Sequence, residues 1–578
     1  MKFLTELGKK TVVSTRFRSV FMASMVAMTI SYVLVLIDNV VAGQMICGEA
    51  VAAMSLVFPL LPMLFFISYM IADGLGMMAA YAQGRDDRIA VSRFFSQGII
   101  LSLGLGIGLV VLLGTFQEKI LAFWKISPEL MAYALAYYSA IKWLPPVVFL
   151  NIFLYTFLVQ EGEEQICAMA SVVAMVVNVI LDVVLCHELG VMGIGLATVI
   201  GTLISCFMQC RFLLSDKSRL KFSWWWDFRQ IFRGLTYSFY HSIDTLYLSV
   251  LPVILSAYVI ARWGESHIIV VTVITNVLVL VIALYTGVVD CLQPMVCQYH
   301  AEGNLLCIKK TMRLGIAATI AISLLVSVVG IIGASILPYI FGVAEKAIAV
   351  EATRSLRLFL IFTVFLGITL MYSNYYIYIK HWSQGLLVKT LLLLVLPTAG
   401  MLLGEWYGIE GMWLGIGGAF VAAYGINLAV VKLRHHGRNL LLMDKERTNR
   451  QLSYDINSVM DEVMALSVKV AQDLQKLGVS AAKIIRLRLL VEEIGMHAVE
   501  RAEGNVFQME ISFLLSSDPA GAIIMSVRDN APPYDIIAVV QQGEFSWREH
   551  FIESITADLP KRRYLSAGDE NRFMLEID

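Results

Sequence analysis

Ile268-Ile-Val-Val-Thr-Val-Ile-Thr-Asn-Val-Leu-Val-Leu-Val-Ile-Ala-Leu-Tyr-Thr286 runs for a full span without one charged residue. A bilayer's hydrocarbon core is about 30 Å thick and is crossed by about 20 apolar residues in a helix. Lipid offers the backbone no hydrogen-bond partner, and a run this long does not suit a barrel strand, so the segment is predicted to be a helix. Working outward, runs of this kind centre near residues 30, 65, 105, 147, 175, 200, 248, 282, 323, 363, 395 and 420. That predicts twelve spans. The whole chain agrees: 578 residues, 58% hydrophobic and 15% charged, with a mean hydropathy of +0.73. Soluble proteins average about 45–50% apolar and about 25% charged. A cytosolic enzyme, a secreted disulfide scaffold and a disordered chain are excluded. Lys+Arg 44 against Asp+Glu 45 leaves a net charge of −1, which gives no reason to expect a nucleic-acid partner.

The basic start, with Lys2, Lys9, Lys10, Arg16 and Arg18, resembles a signal-peptide n-region, but a span-length run follows and it reads as a retained first helix. Short-loop charges set the orientation. Loops on the N-terminal side carry Arg85, Arg88, Arg93, Arg211, Lys217, Arg219, Lys221, Arg229, Arg233, Lys309, Lys310, Arg313, Lys380 and Lys389, whereas the opposite loops are poor in cations. Both termini are expected to be cytoplasmic, in a multi-pass protein of the plasma (inner) membrane. The eight cysteines all precede residue 436 and show no ligand-type spacing, so no metal site is expected.

The spans repeat. Gly48-Glu49 recurs as Gly264-Glu265, Gly84 as Gly303, and Gly190-Val-Met-Gly193 as Gly408-Ile-Glu-Gly411, at offsets of 216, 219 and 218. The expected fold is an α-helical polytopic membrane protein of two six-helix lobes, 1–222 and 223–436. Parallel repeats of this kind suit alternating access around a midplane cavity. A basic linker at 437–452 then leads to a small cytoplasmic α+β sandwich at 453–578. There, apolar spacing predicts helices over 454–477 and 481–501. Val506–Phe513, Ile523–Arg528, Arg563–Ser566 and Arg572–Ile577 alternate as strands do.

Several motifs together resemble the multidrug and toxic compound extrusion (MATE) family. They are Ile37-Asp38-Asn-Val-Val-Ala-Gly43, Gly74-Leu-Gly76 with Tyr81-Ala-Gln-Gly84-Arg85-Asp86, and Asn178-Val-Ile-Leu-Asp182. Gln293-Pro294, Gly303-Asn304 and Gly408-Ile-Glu-Gly411-Met-Trp413 complete the set. The sequence departs from the family at Val159, where an Arg is common, and at Gln298-Tyr299-His300. Ionisable groups at bilayer depth cost a few kcal/mol, so those retained usually face a cavity or a partner. The resemblance implies that Asp38, Asn178 and Asp182 form a cation site for Na⁺ or H⁺. Sodium-coupled members also use carboxylates on the seventh and eighth helices, which makes Asp244 and Asp290 further cation-binding candidates. The competing reading of these acids is snorkelling to water. Asp73 reads as a structural acid or a gate residue, and Lys142 as a snorkelling or acid-pairing cation.

The C-terminal segment resembles the ATPase-fold module of histidine kinases and anti-sigma-factor kinases, through Val491-Glu-Glu493-Ile-Gly-Met-His497-Ala and Asp529-Asn-Ala531-Pro-Pro533-Tyr-Asp535. Glu493, His497 and Asp529 occupy the family's nucleotide-binding positions. However, His497 stands where the Mg²⁺-binding Asn belongs, Ala531 replaces a Gly, and no Gly-x-Gly lid is present. A degenerate domain that regulates transport or binds a cytoplasmic regulatory protein is expected, not an enzyme. The expected function is export of lipophilic, cationic small molecules in exchange for Na⁺ or H⁺, with membrane lipids as surroundings and no other cofactor. Two alternatives stand beside it: a lipid-linked precursor flippase of the same superfamily, and a membrane sensor signalling through the C-terminal segment.

Overall fold

The computed structural model describes residues 10–578 except 48–49, 51–52, 55–56, 58–59, 123–127, 216–217, 265–266, 341–345, 435–438, 503–504, 517–520, 533, 537–538, 540–545, 560 and 568–569. The helical part opens with α1 (Val12–Met45), α2 (Leu60–Gly84) and α3 (Arg88–Thr115). It continues through α4 (Pro128–Ile141), α5 (Leu144–Gln160), α6 (Glu164–Leu189) and α7 (Val191–Leu213). After these come α8 (Phe228–Trp263), α9 (Ile268–Glu302), α10 (Leu305–Gly333), α11 (Lys346–Leu360) and α12 (Thr363–Tyr378). A helical stretch of 53 residues, α13 (Trp382–Arg434), closes the set. Among the described residues, eight helices are long and apolar enough to cross a membrane, or ten if each of two bent pairs is one span. The spans expected near 395 and 420 are joined within α13, which turns at Gly408. The bends, 45° between α4 and α5 and 47° between α11 and α12, divide spans expected as single helices. Pro145 and Pro146 in the first turn of α5 explain the first bend, because neither can donate back to the preceding turn.

Backbone geometry shows the internal repeat more sharply than residue identity does. Left-handed turns fall at Asp86, Gly162 and Gly190, and again at Gly303, Lys380 and Gly408, each pair about 217 positions apart. The counterpart of Gly303 is therefore Asp86, two residues after the Gly84 expected from the motif. The capping residues confirm this alignment. Asp87 accepts from the Ala90 N–H at 2.9 Å to start α3, and Asn304 accepts from the Cys307 N–H at 3.0 Å to start α10. Gly190 and Gly408 share positive φ and extended ψ. Gly193 and Gly411 then turn back against the Leu185 and Leu403 carbonyls, where a Cβ would not fit.

Past α13 the chain forms a five-stranded antiparallel sheet in the order β1-β2-β3-β5-β4. The strands are β1 (Gln451–Asn457), β2 (Gln508–Leu515), β3 (Ile523–Asp529), β4 (Lys561–Ala567) and β5 (Glu570–Ile577). Helices α14 (Met460–Lys476), α15 (Ala481–Arg501) and α16 (Trp547–Thr556) cover one face. The helix expected from 454 begins instead at Met460. Tyr454 and Ile456 alternate on β1 and pair with Ile511 and Met509 of β2, so cross-strand pairing takes them before the helical period begins. Met509, Ile511, Phe513, Met525, Val527 and Leu575 point into a core with Val470, Leu474, Leu487 and Val491.

Candidate functional site

Asn178 and Asp182 lie one turn apart on α6 and are both buried. Gly201 of α7 leaves room for that face: a Cβ there would lie 3.1 Å from the Asn178 Cβ and 3.1 Å from the Ala174 carbonyl. Asp38 arrives from α1, also buried, and accepts from the Thr198 hydroxyl at 3.4 Å. The carboxyls of Asp38 and Asp182 lie within electrostatic reach of each other. In its satisfied orientation the Asn178 amide donates to Asp182 Oδ2 at 3.1 Å. Oδ1 of Asp38 and Oδ1 of Asp182 are left without a partner. Residues of two helices distant in sequence thus converge into one buried cluster lined with oxygen.

A second constellation sits where the first helices meet the last. Asp73 of α2 bonds His241 Nδ1 of α8 at 3.0 Å, and His241 Nε2 meets the Tyr378 hydroxyl of α12 at 2.9 Å. That hydroxyl also lies 3.2 Å from the Val289 carbonyl of α9. Close packing permits this line of contacts, since Gly74 and Gly234 let the backbones of α2 and α8 touch. One turn along α8, Asp244 pairs with Lys389 at 3.2 Å. The Lys389 ammonium also donates to Asn374 Oδ1 at 2.8 Å and to the His241 carbonyl. Asp290 is half-buried within electrostatic reach of Asp73 and Asp244. Asp244 and Asp290 therefore lie in one cluster, but Asp244 already holds a cation from the chain itself.

Sequence reasoning placed Lys389 in a loop, and the structure corrects this: the side chain is fully buried inside α13. A single Lys within Leu386-Leu-Val-Lys389-Thr-Leu-Leu-Leu-Leu-Val395 was a readable signal of an intramembrane charge. It is followed at once by a π-helical turn, Leu391–Val395, ahead of Pro397, which cannot donate to the preceding turn. His241, Tyr378 and Asn374 carried no signal beyond being polar groups in apolar runs. Lys142 sits at the bend between α4 and α5, 3.4 Å from Gln117 Oε1.

In the C-terminal segment the expected nucleotide-binding residues already have protein partners. Glu493 pairs with Arg548. His497 Nε2 meets Glu549 Oε1 at 3.1 Å, and burial holds its imidazole below the ordinary value. Burial works against the Glu549 carboxylate, but hydrogen bonds from Tyr534, the Ser546 N–H and His497 outweigh it and lower its pKa. Asp529 accepts from the Ala531 N–H at 3.0 Å and from Asn571 at 2.9 Å, and burial raises its pKa.

The sheet's other face docks onto the helix ends. Asp455, Glu510, Arg528 and Arg572 stand side by side across β1, β2, β3 and β5. Opposite this row, Lys310 of α10 pairs with Asp455 at 2.7 Å, Glu302 of α9 with Arg528 and with Arg572 at 3.0 Å, and Asp86 with Arg572 at 3.3 Å. Arg528 and Glu510 pair at 3.0 Å within the row. Arg16 of α1 reaches Glu570 at 2.5 Å. Acids face bases across the joint, so burial leaves few charges uncompensated.

A family model, MatE, matches residues 23–184 and 242–397. Comparison with curated protein sequences found no match. Among solved structures, the chain is similar to a MATE transporter in complex with MaL6, with 18% identity and a TM-score of 0.68 over 75% of this chain and 98% of that one. It is equally similar to a MOP superfamily transporter from Pyrococcus furiosus, with 19% identity and a TM-score of 0.68 over the same shares. A multidrug resistance MATE family transporter in an outward-facing conformation matches with 18% identity, a TM-score of 0.68 and the same coverage. With the family model covering more than half of its length, this multi-pass membrane protein belongs to the MatE family of transporters.

Proposed function

We propose that the chain is a secondary active exporter that moves lipophilic, cationic small molecules out of the cell against inward Na⁺ or H⁺. The observation that carries this reading is the convergence of Asp38, Asn178 and Asp182 into one buried cluster rich in oxygen, with two carboxyl oxygens unpartnered. A proton shared by the two carboxyls, or Na⁺ held by their oxygens with Asn178 and Thr198, would occupy the same seat; hard cations favour such ligands. The Asp73–His241–Tyr378 line joins α2 to α8 and α12, so its making or breaking would bear on how the first helices rest against the last. Asp290, with Asp244 once released from Lys389, would form a second, accessory cation site in this cluster.

Under this reading the C-terminal segment is a cytoplasmic regulatory domain, because its docking row engages helix ends from both halves of the chain. Pairing of Lys389 with Asp244 neutralises the buried cation of the cluster between the first and last helices, which favours a cationic over an anionic cargo there. Everted membrane vesicles with imposed Na⁺ or pH gradients and a panel of fluorescent cations test the proposal. Gradient-driven dye movement that persists on deletion of 452–578 supports a transporter, whereas a sensor would move no dye.

A further inference from the structure

On the face that carries the C-terminal segment, a cavity of about 610 Å³ opens where three parts of the chain meet. The turn after α2 contributes Arg85, Asp86 and Asp87, α8 contributes Arg233, the α12–α13 connection contributes Lys380, and β4 contributes Arg563. Four cations thus face two carboxylates, so positive charge is in excess at the cavity. Asp86 is taken by Arg572 at 3.3 Å and Arg563 at 3.6 Å. Asp87 accepts the Ala90 N–H as the cap of α3. No ion pair is made by Arg85, Arg233 or Lys380 among the described residues.

The cations are held in place although they outnumber the carboxylates beside them. The Lys380 ammonium lies over the Tyr81 ring, 4.4 Å from its centre, and the Lys380 backbone adopts a left-handed φ of 67°, which costs a non-glycine residue. Tyr237 on the cavity wall is packed against Trp382, with ring centres 4.1 Å apart. The Arg563 guanidinium donates to the Arg85 carbonyl at 3.1 Å. Burial, with Arg85 and Arg233 nearby, lowers the Lys380 ammonium from its ordinary value, as expected where positive charge is crowded. A solvated basic surface would instead let its side chains spread apart.

We propose that this cavity is a binding site for a phosphate-bearing anion, whose oxygens are held jointly by Arg85, Arg233, Lys380 and Arg563. Guanidinium forks suit phosphate geometry, and Lys adds a point charge. The volume lies within the range of small-molecule sites. Because the four cations come from early helices, late helices and the C-terminal sheet, the bound anion ties all three together. The phosphate belongs either to a soluble cytoplasmic compound or to a lipid headgroup.

The test uses the purified full-length chain in nanodiscs. Inorganic pyrophosphate is titrated calorimetrically in phosphatidylcholine discs, and phosphatidylglycerol is titrated into phosphatidylcholine discs by native mass spectrometry. Saturable pyrophosphate binding in phosphatidylcholine assigns a soluble ligand, and selective retention of phosphatidylglycerol assigns a lipid. In either case Arg233→Gln and Lys380→Gln should each weaken binding roughly tenfold, about 1.4 kcal/mol. Arg233→Lys should retain most of it, and Lys119→Gln, on an exposed helix elsewhere, should change nothing. The proposal is overturned if neither probe binds, or if binding is the same in Arg233→Gln and Lys380→Gln as in the unaltered chain. Arg233 and Lys380 make no ion pair among the described residues, and a matched thermal unfolding midpoint checks that the variants are folded.

Discussion

Arg572 and Asp86, 486 positions apart in sequence, meet at 3.3 Å, and the same guanidinium group reaches Glu302 at 3.0 Å. One side chain of the last strand therefore holds the ends of both α2 and α9. Those ends are already tight, because Gly84 of α2 lies against the Gln298 carbonyl of α9 with no room for a Cβ. Arg572→Ala leaves Glu302 to Arg528 alone and Asp86 to Arg563 alone, a loss on the order of 2 kcal/mol at the joint. Hydrogen exchange should rise across β5 and the α2–α3 turn, and dye transport should speed up as those helix ends separate more readily. Unchanged exchange at both places would show that the joint does not depend on this residue.

Asp182→Asn keeps the shape of the seat and removes a carboxyl from it. With membrane insertion unchanged, gradient-driven efflux of a fluorescent cation should fall at least tenfold, and Asp38→Asn should do the same. The double substitution should be no worse than either single one, because the two groups act on one ion. Additive losses would mean two independent sites.

Lys389→Met strands Asp244 beside a buried apolar wall. The variant should lose about 3 kcal/mol of stability, read as a lower unfolding midpoint in detergent. Adding Asp244→Leu should recover part of that loss, since a well-packed apolar pair removes both desolvation penalties. If the double variant is as unstable as the sum of the singles, the two side chains do not interact.

His497 and Glu549 make the stability of the C-terminal segment depend on pH. The imidazole is held below its ordinary value of 6.5, so the unfolded segment binds more protons there and stability is lost as pH falls below about 6.5. Glu549 is lowered from 4.5, so its contribution is lost in the same direction at more acidic pH. Protection of the α15 amides in the full-length chain, corrected for the intrinsic pH dependence of exchange, should therefore fall between pH 7 and pH 5. His497→Gln, which keeps a donor toward Glu549, should flatten the part of that change near pH 6; an unaltered profile would count against the assignment.

Some of this was legible without coordinates. Apolar runs of span length dictate helices because lipid cannot satisfy an open backbone. Glycine motifs marked the repeated turns, although Asp86 and Lys380 adopt the left-handed conformation without being glycine, and residue identity therefore misplaced one landmark by two positions. Asn178 and Asp182 were visibly on one face because helical spacing is local. Their meeting with Asp38 is a contact between helices, and only packing brings it about.

The strands show the division most clearly. Alternation fixed which residues of β2, β3 and β5 enter the apolar core, and it marked Glu510, Arg528 and Arg572 as the opposite, polar face. A pattern of period two separates two faces but does not say whether the polar one meets water. Glu302, Asp86 and Lys310 decide that, because their opposite charges make burial of the row affordable. Such pairings join segments hundreds of residues apart, and the local order of residues carries no record of them.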